Sequence, residues 1–315
     1  MNFFIKNVFT PDFLYMWIRV TTPILFSALG GSICTQAGVV NLGLEGIMLM
    51  SAMFGAIGSA YGGSLFVGMI SGLTIAIIMS LVFAYFHLNL KADAVLCGTA
   101  INTFATGATV LVLFTLTGEK GSSSSLKSFS FPTVQIPGVK NIPVIGEIIS
   151  GHNLLTYIAF ICVFVVAFLL HKTVLGLRIR AAGENPDACL SVGISVMTMR
   201  YIAIILCGIL TGFGGMYMSM GYLGMFTRDM VAGRGFIALA ASAMGQAQPV
   251  PVLLSTLLFS FFSSLVNTMQ TVKIPSQLVA MLPYVATIIG LTIFSIQNKY
   301  RSRKRLLHNN AKESM

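Results

Sequence analysis

An all-α polytopic membrane protein is the fold class this sequence predicts, and three observations predict it. The first is composition. Of 315 residues, 56% are hydrophobic and only 9% are charged, and mean hydropathy is +0.87. No soluble domain of this length has that balance, so one domain of many spans, 1–315, is expected. The second is run length. A spanning helix needs about 20 largely apolar residues, and nine stretches reach or approach that. The third is charge placement. Nineteen Lys and Arg against nine Asp and Glu leave a net +10, and the basic residues cluster beside apolar runs, as the positive-inside rule expects. The positive charge is a topology signal, and nucleic acid is not an expected partner.

The nine segments are 14–34, 47–62, 64–88, 94–117, 153–171, 198–222, 236–247, 249–271 and 277–297. Segments 47–62 and 236–247 are short for a full crossing and read as half-helices or re-entrant segments. Residues 119–152 are polar, with Ser122 to Ser125 and Pro132, Pro137 and Pro143, and read as a loop.

Lys and Arg set the orientation. Lys299, Arg301, Arg303, Lys304 and Arg305 place the 298–315 tail in the cytoplasm. Lys172, Arg178, Arg180 and Arg200 place the 172–198 loop there too. Four segments lie between the two, an even number, so the assignments agree. The 119–152 loop is then external, despite Lys120, Lys127 and Lys140, and counting back puts the N-terminus outside. The N-terminus lacks a basic region followed by a short apolar core and a small-residue cleavage site, so no removable signal peptide is expected. The five cysteines show no CxxC spacing and read as buried thiols rather than disulfides or a metal site.

The first four segments start outside and segments 198–222 to 277–297 start inside. Each group has a short second segment. Ser27-Ala28-Leu29-Gly30-Gly31 and Thr211-Gly212-Phe213-Gly214-Gly215 stand at similar depth in their segments. Paired interruptions in opposite-facing halves point to an inverted repeat around a transport site. Small residues also occur wherever membrane helices pack closely, so the packing reading stands beside it.

Four stretches could carry function. The first, Ala37-Gly38-Val39-Val40-Asn41-Leu42-Gly43-Leu44-Glu45-Gly46, interrupts what would otherwise be a buried hairpin. A carboxylate at membrane depth faces protein or water, and a break in helical geometry is tolerated only where it is packed or lines a cavity. Asn41 and Glu45 are thus candidates to line a path for a polar solute. Equally, Asn41 suits the N-cap of the next helix, and Glu45 in its first turn suits the positive end of the dipole. In the second stretch, Gly98 to Thr106, Asn102 and Thr106 share a helix face and Phe104 stands between them. The group suits a neutral hydrogen-bonding solute, or interhelical hydrogen bonds worth about 1 kcal/mol each.

The third stretch, Thr173 to Cys189, is long for an inside linker. Asn185-Pro186 reads as a helix start, giving a short surface helix to about Val192 that offers Ala188, Leu190 and flanking charges to a soluble partner. The bland reading is a basic loop at the membrane surface. In the fourth, Gly235, Ala238, Ser242 and Gly245 follow helical spacing and read as a packing face; Arg234 is harder to explain by packing.

Absences narrow the class. No GxxxxGK[ST] occurs, so no Walker-type phosphate loop is present. No DDxxD-like cluster occurs in the spans. His87, His152, His171 and His308 lie at span ends, in loops or in the tail, where they cannot serve an intramembrane serine hydrolase. No catalytic or metal-binding set is expected. A transport subunit worked by a soluble partner, a stand-alone carrier coupled to an ion through Glu45, and a membrane enzyme remain to be weighed. The enzyme is the weakest, and a carrier has no need of the surface helix.

The four stretches, in this order, resemble the permease subunits of ABC importers for nucleosides and simple sugars, a group related to the ribose and branched-chain amino-acid permeases. The nucleoside branch carries "AGVVNxGxEGxM", as at Ala37 to Met48, and "GxxxN", as at Gly98 to Asn102. Its "GxxxRAxGENPxAA…G" corresponds to Gly176 through Gly193, and "AGRGFIALA" stands at Ala232 to Ala240. The resemblance covers about residues 20–295. Ala188-Cys189 departs mildly from the usual Ala-Ala, and Gln246-Ala247-Gln248-Pro249 replaces an aromatic-Asn-Pro run.

The resemblance implies nucleoside import across the bacterial plasma membrane by alternating access, or simple-sugar import by the same route. It implies a related but different second permease subunit, two cytoplasmic ATP-binding subunits and an external substrate-binding lipoprotein. ATP and Mg2+ would bind the ATPase, with no cofactor in this chain. Coupling would run through Gly176, Arg178, Arg180, Gly183, Glu184, Asn185, Pro186 and Ala188, with Gly183 giving a turn and Pro186 fixing a helix start.

Overall fold

A computed structural model of the protein describes residues 10–135, 146, 148, 150–269 and 292. Ten α-helices follow in order: α1 Pro11–Gln36, α2 Leu44–Gly62, α3 Leu65–Ala84, α4 Ala94–Thr117, α5 Leu154–Lys172, α6 Val174–Glu184, α7 Pro186–Ser191, α8 Val196–Met216, α9 Arg234–Met244 and α10 Pro249–Met269. Wider π turns extend α3 over Tyr85–Asn89 and α8 over Tyr217–Leu223. The expected span 277–297 and the basic tail lie outside the described residues, Thr292 apart.

Most helices begin where the sequence supplies an oxygen for an orphan N–H. Thr10, Ser64, Asp93, Asn153, Thr173, Asn185 and Ser195 each accept a first-turn amide. Seven of the described helices are long and apolar enough to cross a membrane. That overturns one expectation. The segment read as 47–62 is a 19-residue helix starting at Leu44, because a side chain from α4 satisfies its first-turn amide at Gly46. The other short segment is short: α9 has 11 residues.

The buried apolar side chains form two clusters. One joins α1, α5, α6, α9 and α10; the other joins α2, α3 and α4; α8 contributes to both. The Ser27–Gly31 and Thr211–Gly215 runs meet at the α1–α8 crossing. A methyl group on Gly30 would sit 2.8 Å from the Cys207 carbonyl oxygen, and one on Gly214 2.8 Å from that of Pro23. Their matched positions are thus explained by close helix packing. All five cysteines are free thiols, four of them buried.

Hydrogen bonds sort the connections into two ends. At one, Gln36 Nε2 donates to Ala247 O (3.1 Å), Arg200 Nε to Ala37 O (3.3 Å) and Tyr201 Oη to Asn89. At the other, Phe129 N donates to Ser59 Oγ (3.2 Å), Phe131 N to Met220 O (2.9 Å) and Tyr15 Oη to Gly151 O (2.9 Å). The start of α1 therefore shares an end with the polar loop before α5, and the 37–43 break shares the other with α6 and α7.

Candidate functional site

The break begins where α1 ends. Gly38 turns the chain with φ +76°, a left-handed conformation open to glycine. Residues 39–43 then run without regular structure to Leu44. Asn41 is 1% exposed. Its Oδ1 accepts from Gly43 N (2.9 Å) and its Nδ2 lies 3.8 Å from Cys207 Sγ. The N-cap position belongs to Gly43, which supplies no side chain. Asn41 is therefore not the cap of α2; it holds the turn that precedes it.

Glu45 does lie in the first turn of α2, but its carboxylate serves another helix. Oε1 accepts from Gly233 N (2.7 Å) and Oε2 from Gly235 N (2.6 Å). These are orphan donors at the start of α9, where a negative charge is favoured. Gly235 permits the approach, since a methyl there would lie 2.6 Å from Glu45 Cα. Arg234 Nη1 donates to Met230 O (3.1 Å) and Val231 O (2.9 Å). Gly235, Ala238, Ser242 and Gly245 are all buried, as a packing face requires.

Asn102 reaches the break from α4. Its Oδ1 accepts from Gly46 N (2.8 Å) and its Nδ2 donates to Leu42 O (3.0 Å). Thr106 donates to the Asn102 carbonyl of its own helix (3.0 Å). Glu45 and Asn102 are thus committed to backbone partners, and Asn41 to the Gly43 amide and the Cys207 thiol. Phe104 differs: it is 59% exposed. It borders a cavity of about 570 Å³ against α2 and α3, with Met50, Met79 and Cys97. It also borders an open groove of about 800 Å³ on α4, with Thr99, Thr103 and Gly107.

Below the break lie α6 and α7. Thr173 Oγ1 accepts from Gly176 N (3.1 Å), and Gly176 packs so tightly on α5 that a methyl would lie 2.6 Å from Leu170 Cα. Arg178 is exposed. Arg180 and Glu184 form a loose surface pair at 3.8 Å, an arrangement worth under about 1 kcal/mol. Asn185 Oδ1 accepts from Ala188 N (3.0 Å), so α7 starts at Pro186 as expected. Ala188 is exposed, Leu190 is 61% exposed and Val192 71%. Gly183 does not form a turn. It is helical within α6, and a methyl there would lie 2.8 Å from Gly38 N and 2.9 Å from Ala37 C.

Sequence reasoning missed Gln36 and Arg200, which tie the break to Ala247 and to α8. Arg200 looked like one more charge at a span end. At the opposite end, His152 is buried, stacks on Tyr15 at 4.1 Å, and bonds Ile148 O through Nε2 at 2.8 Å. Burial pushes its pKa below the ordinary value, and the Arg19 charge acts in the same direction. Among the described residues no cluster of His, Cys, Asp and Glu could hold a metal ion.

The family of branched-chain amino acid transport system permease components matches residues 13–294. The chain is 34% identical over 287 residues to the nucleoside ABC transporter permease protein NupC of Lactococcus lactis subsp. cremoris, covering 87% of this chain and 89% of that one. It is 34% identical over 283 residues to the guanosine ABC transporter permease protein NupQ of Bacillus subtilis, covering 86% and 88%. NupB, a second nucleoside ABC transporter permease protein of that Lactococcus, is 32% identical over 131 residues, 41% of this chain and 36% of NupB. With a family model spanning most of its length and seven apolar helices, the chain belongs to the branched-chain amino acid transport permease family, as a multi-pass membrane transport component rather than an enzyme.

Proposed function

We propose that this chain is a permease subunit of an ATP-driven importer of nucleosides. The observation that carries the reading is α7: a capped helix that presents Ala188 and Leu190 uncovered, with Val192 just after it, beside the helix break. A carrier driven by an ion has no use for such a knob, and Glu45 has both carboxylate oxygens on backbone amides. The match to NupC and NupQ over most of both chains supports nucleosides as the solute.

In this reading α6 and α7 receive the ATP-binding subunit, which alone binds ATP and Mg2+. The end bearing them faces the cytoplasm, and the loop before α5 faces out toward a substrate-binding lipoprotein. A second, different permease completes the path, a pairing supported by similarity to both NupC and NupB. Phe104, with Thr99 and Thr103 on the open face of α4, offers a stacking surface and hydroxyls to a base and ribose. Asn41, Glu45, Asn102 and Thr106 hold the path's backbone.

Reconstituting the full complex in vesicles tests this. Labelled guanosine should accumulate only with ATP, and excess ribose should not compete. Accumulation by this chain without the ATPase would refute it, and competition by ribose would make it a sugar permease.

A further inference from the structure

We infer that the coupling element drives the broken stretch directly, through a backbone seat between Gly183 and Gly38, and that residues 36–46 and α9 move with it as one body. This rests on reading α6 and α7 as the ATPase-coupling element. Chain connectivity alone would send motion only into α5 and α8, the helices that flank that element.

The seat is built from two glycines. A methyl placed on Gly183 would meet Gly38 N at 2.8 Å, and one on Gly38 would meet Gly183 Cα at 3.2 Å. Main chain therefore rests on main chain, and no rotamer can absorb a push, as a side chain between them would. Arg200 closes a second side by its bond to Ala37 O (3.3 Å).

The stretch is tied to α9 at both ends. Gln36 Nε2 bonds Ala247 O (3.1 Å) after the helix, and Glu45 accepts from Gly233 N (2.7 Å) and Gly235 N (2.6 Å) at its start. Two antiparallel segments joined at both ends cannot slide past each other without breaking one of these half-buried hydrogen bonds. Asn102 then carries the displacement into α4 through Leu42 O and Gly46 N. A push on Gly183 thus has a continuous physical route to the helix that bears Phe104.

Two nitroxide pairs in the complete complex test this. Val40, 49% exposed, and the exposed Glu184 flank the seat; Glu184 and the exposed Ser125 span the protein. On adding ATP the Glu184–Ser125 distance should change while Val40–Glu184 stays fixed. If Val40–Glu184 changes as much, the seat opens and the inference is wrong, while the coupling reading survives. If neither responds, the coupling reading fails and takes this inference with it. A second measurement uses Gly183→Ala, whose methyl must lift α6 off the stretch. Solute moved per ATP hydrolysed should drop about tenfold, the scale of a typical intersite coupling. An unchanged ratio in an assembled complex would overturn the seat; if the variant does not assemble, the distances decide.

Discussion

Glu45 and Gly235 are joined by a hydrogen bond of 2.6 Å from the glycine amide to the carboxylate, across the two halves of the chain. Glu45 stands in the first turn of α2 and Gly235 in the first turn of α9. The carboxylate is thus an inter-half clasp, and a second bond to Gly233 N makes it two-pronged.

Replacing Glu45 by Gln separates clasp from solute contact. The amide has one acceptor oxygen, and its NH2 would oppose a backbone N–H. One charge-assisted bond is lost, worth about 1.5–3 kcal/mol. The purified complex should melt at lower temperature, while solute KM in the assembled variant stays at the wild-type value. A raised KM with unchanged melting would place Glu45 on the solute path instead.

Asn102 gives a second discrimination. Asn102→Asp keeps an acceptor for Gly46 N but turns an oxygen toward Leu42 O. Asn102→Ala loses both bonds. Each variant should lose about 1–3 kcal/mol, read as a lower detergent melting midpoint. Thr106→Val should cost under about 1 kcal/mol, because that hydroxyl bonds only its own helix. Equal losses at the two positions would mean that Thr106 has a partner beyond α4.

These two residues also show what could be read from the sequence. Hydropathy placed the helices, since a long apolar run has few alternatives. The start of α2 was misplaced because Asn102 recruits Gly46 from 56 positions away, a tertiary effect no local pattern carries. The affinity of Glu45 for a helix N-terminus was legible as physics; that the helix would be α9 was not. At Asn185 the information is wholly local, a cap followed by proline, and α7 starts there as the sequence predicts. Gly183 resembles a turn residue in sequence, while its structural role is close approach to a segment some 145 positions earlier. Small size looks the same in a sequence whichever use it has.

The exposed side chains of α7 and its C-cap predict an interface. Leu190→Glu and Val192→Glu alter no buried contact, so the variant should insert and melt like the wild type. Copurification of the ATP-binding subunit should weaken at least about tenfold, as expected when apolar anchors of a docking surface become charged. Full retention of the ATPase would remove α7 from the contact.

The last expectation concerns His152, in the loop before α5. Its folded-state pKa lies below the ordinary value of 6.5, first through burial and then through Arg19. The groups facing it are Tyr15, stacked at 4.1 Å, Tyr157, edge-on at 6.3 Å, the Arg19 charge and the Ile148 carbonyl; only that carbonyl favours an imidazolium, and burial outweighs it. Below pH 6.5 the unfolded loop binds a proton that the folded loop resists. The stabilisation from neutral His152 is therefore complete above that value and fades as pH falls through it. Between about pH 7.5 and about pH 5.5 the melting midpoint should drop, and amides near Val134 and Gly151 should exchange faster. His152→Phe keeps a ring against Tyr15 with nothing to titrate, so its melting should be flatter over the same range. A wild-type slope in that variant would assign the pH dependence to another group.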